Sequence, residues 1–61
     1  MAKSLKDRVF EALKKKASNP LEVSRRLRVP RQYVIWQLSV LEEEGLIEYD
    51  MARNKWRPKK R

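Results

Sequence analysis

The chain has no cysteine and no histidine among its 61 residues. That removes disulfides, thiol nucleophiles and imidazole bases, and with them nearly every zinc site. Four serines and two tyrosines are the only hydroxyl side chains, and with no base to activate them no catalytic constellation forms. An enzyme is therefore not expected, nor is a cofactor or a metal. No apolar run approaches the ~20 residues of a membrane helix, and no apolar signal segment follows Met1. A soluble, cytoplasmic protein is expected, nucleoid-associated if it binds nucleic acid, and a membrane partner is not. A chain this short buries only ~60% of its unfolded surface, so a single domain over 1–61 is expected, with an ordered core at about 4–58 and a frayed basic tail at 59–61.

Acid is scarce over most of the chain. Sixteen Lys and Arg stand against eight Asp and Glu, a formal charge of +8. Residues 1–41 carry ten bases and three acids, whereas five acids fall in residues 42–50 without a base, and the last eleven residues carry six bases and no acid. Solubility needs no such segregation; a surface that meets a polyanion does. The alternative is a Lys/Arg/Glu-rich solvated face of the thermophile kind.

Apolar periodicity lays out the elements. Ser4 can cap a first helix with Asp7 three residues on, and Leu5, Val9, Leu13 and Ala17 recur every four residues with Phe10 beside them. The spacing predicts a helix over about 4–17, with Lys14, Lys15 and Lys16 at its negative end. Asn19-Pro20 with Glu22 predicts a short second helix, about 20–28, and Val29-Pro30 forces a break. A third helix runs from about Pro30 to Glu44 and ends at Gly45, the only glycine, with Val34, Leu38 and Leu41 on one face. Alternation over Leu46–Asp50 predicts a strand, and Lys55-Trp56-Arg57 an antiparallel return with Trp56 in the core beside Ile47 and Tyr49. The fold class expected is mainly helical α+β.

The run Val23-Ser24-Arg25-Arg26-Leu27-Arg28-Val29-Pro30, followed by Val34 through Leu38 to Leu41-Glu42-Glu43-Glu44-Gly45-Leu46-Ile47, resembles the winged helix-turn-helix of archaeal and bacterial regulators of the MarR and ArsR type. The resemblance covers residues 4–58 and implies a three-helix bundle with a two-stranded antiparallel β-hairpin wing. It implies double-stranded DNA as the partner and transcriptional regulation as the role, with helix three in the major groove. By position it nominates Arg31, Gln32, Tyr33, Ile35, Trp36 and Ser39 on helix three and Arg53, Asn54 and Lys55 on the wing. The residues add to this: Arg25, Arg26 and Arg28 are candidate phosphate contacts, Arg31 and Gln32 lie in a first turn that can reach base edges, and Trp36 projects away from the core face.

Two departures from the pattern stand out. Arg28 occupies the position where the turn usually carries glycine, which requires either a left-handed Arg or another turn geometry. The helices through which MarR and ArsR proteins dimerise have no counterpart here, so a monomer or a weak homodimer is expected. The stripe Tyr33, Trp36, Val40 is apolar on the side away from the core. It can meet thymine methyls and sugars, serve as a protein or self-association patch, or bury against helix one. The alternatives to duplex DNA are accordingly an RNA- or ribosome-associated winged helix, and a protein-interaction winged helix using Tyr33, Trp36 and Val40. A Z-DNA-binding domain is also similar at Pro30 and Trp56, but its helix-three Asn and Tyr positions hold Ile35 and Ser39. Glu42, Glu43 and Glu44 splay over ~200° of a helix and cannot converge on a metal; they are expected to pair with Arg57 or nearby lysines.

Overall fold

The computed structural model describes residues 3–59. Three helices and a hairpin follow in the order α1 (Leu5–Lys15), α2 (Pro20–Leu27), α3 (Arg31–Glu43), β1 (Ile47–Asp50) and β2 (Lys55–Pro58). This is the expected α+β layout, three helices with a two-stranded antiparallel sheet. Of the expected basic tail, residues 60 and 61 lie outside the described residues.

Each boundary has a local cause. Ser4 Oγ accepts a hydrogen bond from the Asp7 N–H at 3.2 Å and starts α1. The helix stops at Lys15, two residues before the expected end, because Lys16 is already extended (φ −160°, ψ 125°). That turn-out delivers Ser18 to the hairpin. Asn19 and Glu22 close a reciprocal capping box: Asn19 Oδ1 accepts from the Glu22 N–H at 2.8 Å, and Glu22 Oε1 accepts from the Asn19 N–H at 3.1 Å. Pro20, whose ring pre-sets a helical φ, fills the first helical position. α2 ends on Arg28 in the left-handed region (φ 58°, ψ 44°), and the Ser24 carbonyl accepts from the N–H groups of both Arg28 and Val29. Of the two turn geometries open to Arg28, the chain takes the left-handed one.

α3 begins at Arg31, one residue after Pro30, and closes with Gly45 at φ 76°. The Gly45 N–H reaches the Glu42 carbonyl at 3.0 Å and the Leu46 N–H reaches Leu41 at 3.1 Å. That is the paired closure of a Schellman cap, and it folds Leu46 onto the core. β1 and β2 pair antiparallel with Ile47 opposite Pro58 and Tyr49 opposite Trp56. The strands run one residue later (β1 starts at Ile47) and one longer (β2 reaches Pro58) than alternation predicted. Asp50 Oδ1 accepts from the Ala52 and Arg53 N–H groups and tightens the connecting turn.

The core gathers Val9, Ala12 and Leu13 from α1, Val23 from α2, Val34, Leu38 and Leu41 from α3, and Ile47 from β1. Each large aliphatic among them contributes roughly 1.5–3 kcal/mol by leaving water. Trp56 packs half-buried on this cluster with its ring edge-on to Tyr49, centroids 5.2 Å apart. One contact lies outside any alternation in the chain. Ser18, fully buried, forms an isolated antiparallel bridge with Trp56: the Ser18 N–H donates to the Trp56 carbonyl at 3.1 Å, and the Trp56 N–H donates back at 2.8 Å. The Ser18 hydroxyl is satisfied by the Lys16 carbonyl at 2.9 Å. Among the described residues no helix is long and apolar enough to cross a membrane.

Candidate nucleic-acid interface

α3 turns Val34, Leu38 and Leu41 to the core and leaves Arg31, Gln32, Tyr33, Ile35, Trp36, Ser39 and Val40 exposed. Trp36 is 53% exposed, with Tyr33 at 47% and Val40 at 41%. Burial of this stripe against helix one is thereby ruled out: α1 packs on the opposite face of α3. At ~100° per residue the outer surface divides in two. Gln32, Ile35 and Ser39 form one stripe, and Tyr33, Trp36 and Val40 form another about 100° further round. The Tyr33 and Trp36 rings lie tilted against each other, centroids 5.5 Å apart.

Charge along α3 runs against its own dipole. Arg31 sits in the first turn, which holds no acid, and Glu42 and Glu43 sit in the last, which holds no base. A helix dipole favours the reverse order. Local helix stability therefore does not account for this arrangement.

The acids elsewhere pair with a few of the cations. Glu11 pairs with Lys3, Glu44 with Lys6 of α1 at 3.0 Å, and Glu48 with Arg57 across the hairpin at 2.8 Å. Arg57 thus takes its partner from β1 and not from the glutamate triplet, of which Glu44 alone has an ion-pair partner among the described residues. Arg25, Arg28 and Arg31, around the α2–α3 turn, are exposed and have no carboxylate within 4 Å among the described residues.

Arg26 does not join them. It lies ~100° round α2 from Arg25, on the side facing α1, and its Nη1 donates to the Ala12 carbonyl at 3.4 Å. Of the three candidate phosphate contacts on α2, Arg26 therefore faces a different side of the domain from Arg25 and Arg28. With Arg8, Lys15, Glu11, Ala12 and Leu27, Arg26 lines a groove of about 260 Å³ between α1 and α2. Arg8 is not among the residues expected from sequence, and Lys15 is read there chiefly as a helix-end cation, although their seven-residue spacing with Ala12 between them puts all three on one edge of α1.

At the hairpin tip Arg53 and Asn54 are exposed, and Lys55 is half-buried at the start of β2. Arg53 leans on Asp50 at 3.9 Å. Asn54 is left-handed (φ 55°), and its Oδ1 accepts a hydrogen bond from the Tyr49 hydroxyl at 3.1 Å, which leaves its amide N–H groups for a ligand. Glu22 has its pKa held below the ordinary glutamate value, first by the hydrogen bond from the Asn19 N–H and then by the charges of Lys55, Lys16 and Arg26. Three cations from three segments are therefore close to one carboxylate. Glu11 is likewise held low, chiefly by its hydrogen bond from Lys3.

Compared with known proteins, the chain matches no family profile, no curated protein and no solved structure.

Proposed function

We propose that this chain is a minimal winged helix-turn-helix domain that binds double-stranded DNA, acting as a small transcriptional regulator. The observation that carries it is the cluster at the α2–α3 turn: Arg25, Arg28 and Arg31 are exposed with no ion-pair partner within 4 Å among the described residues, next to the exposed outer face of α3. The reversed charge order of α3 fits the same partner. Its basic end meets phosphates, and its acidic end keeps the far side of the domain away from them.

A 13-residue helix is about 20 Å long and fits a major groove roughly 12 Å wide. In that pose Arg25 and Arg28 take phosphates, Gln32 and Ser39 reach base edges, Ile35 meets thymine methyls, and Arg31 reads guanine or phosphate. The hairpin serves as the wing, with Arg53 and Lys55 on the neighbouring backbone. Fluorescence anisotropy on a labelled duplex over a salt series is the test. The expected slope of log K against log salt is about −4 to −7, at ~0.9 per neutralised phosphate. Arg31→Ala should weaken binding by about tenfold or more. A slope shallower than about −2, or a preference for structured RNA over the duplex, would overturn the assignment.

The 53% exposure of Trp36 favours a second reading, a protein-interaction winged helix docking through Tyr33, Trp36 and Val40. Loss of partner binding in Trp36→Ala with duplex affinity intact would establish it.

A further inference from the structure

We propose that the groove between α1 and α2 is a second seat for a phosphodiester backbone, so that one molecule holds two duplexes together; this rests on the assignment of duplex DNA as the partner. Two helices supply the seat. Arg8, Ala12 and Lys15 fall at i, i+4 and i+7 on one edge of α1, and Arg26 faces them from α2 beside Leu27. Arg8 and Lys15 are about 10 Å apart along the helix axis, which spans more than one phosphate of a strand.

The chemistry suits an anionic backbone. Arg26 is held by a single bond from Nη1 to the Ala12 carbonyl, which leaves its other guanidinium N–H groups for a ligand. Glu11, the only acid in the lining, is bonded to Lys3 and also feels the charge of Lys15, and against three cations it leaves the lining net positive. Arg8, Lys15 and Arg26 have no ion-pair partner within 4 Å among the described residues. Like charges in excess of the nearby acids oppose folding, and an anion seated among them offsets that cost. The lining holds no aromatic to stack on a base, and the floor is apolar (Ala12, Leu27). The groove is thus suited to backbone phosphates and blind to sequence.

Position makes the seat independent of the first interface. α1 gives its Lys6 edge to the C-terminal end of α3, where Lys6 Nζ donates to Glu44 at 3.0 Å. Its Arg8–Lys15 edge lies ~160° away and faces α2. The groove is therefore behind the helix layer on which α3 packs, roughly 20 Å from the outer face of α3 at ~10 Å per helix. A duplex on α3 leaves it open.

The test is a bridging assay with the full chain. One duplex is immobilised, a second labelled duplex of unrelated sequence is added, and its retention is measured beside single-duplex anisotropy. Wild type should retain the second duplex. The double variant Arg8→Ala/Lys15→Ala, at exposed positions and checked for native circular dichroism, should lose retention at least tenfold while single-duplex affinity stays within threefold. Undiminished retention by the variant overturns the proposal. So does equal loss of both activities, or an absence of bridging by wild type at concentrations that saturate one duplex. A wild type that binds no duplex in anisotropy would bring down the parent assignment and bridging together, whereas loss of bridging alone strikes only the groove.

Discussion

Three residues of the described chain sit in the left-handed region, and they are not equivalent. Gly45 adopts it freely, and a Cβ built there meets nothing within 4 Å. Gly45→Ala therefore isolates the backbone term: stability should fall by about 1 kcal/mol, a drop in Tm of roughly 4–8 °C for a domain this small. Asn54 is a residue type that tolerates the conformation, and its side chain is tied to Tyr49. Arg28 has no such help, and its guanidinium makes no ion pair within 4 Å among the described residues. Arg28→Gly should consequently raise stability by about 0.5–1 kcal/mol in a chemical or thermal melt and weaken duplex binding in the same preparation. A stabilised variant with unchanged DNA affinity would remove Arg28 from the interface. Strain at a cation with no ion pair among the described residues is the pattern expected when its partner is a ligand.

At the scale of elements, the capping box of α2 couples stability to acid. Glu22 is held below its ordinary pKa in the folded chain, so its contribution is full above the unfolded-state value and is lost as pH falls through the folded-state value. Melts from pH 7 downward should show stability declining below the ordinary glutamate range, and Glu22→Gln should flatten that decline. Helices and hairpin were legible in the chain because caps and periodicity are local signals: Ser4, Asn19-Pro20, Val29-Pro30 and Gly45 each mark a boundary to within two residues. The Ser18–Trp56 bridge was not, since a single bridged residue shows no alternation and its partner lies on the far side of two helices and a strand. The turn geometry at Arg28 is not legible for a related reason: a left-handed Arg carries no sequence mark of its own. The candidate site was legible in part. Exposure of Arg31, Gln32, Ile35, Trp36 and Ser39 follows from helical phase against Val34, Leu38 and Leu41. The facing of Arg26 towards α1 depends on how two helices cross, which one-dimensional spacing does not carry.

For the molecule as a whole, salt should act with opposite signs on folding and on binding. A formal charge of +8 on 61 residues repels itself in the folded state, and screening relieves that repulsion. Raising NaCl from about 10 to about 200 mM, where the screening length falls several-fold, should raise the Tm of the free protein, while duplex affinity drops steeply over the same range. A Tm that falls with salt would mean that ion pairs such as Glu44–Lys6 and Glu48–Arg57 outweigh the excess of positive charge. The bridge between Ser18 and Trp56 adds a mechanical consequence. It clasps the return strand of the hairpin to the chain where it leaves α1, so the hairpin is no free lever. Torque applied at its tip passes into the end of the first helix, and any ligand that grips both sides of the domain must twist it as one rigid piece.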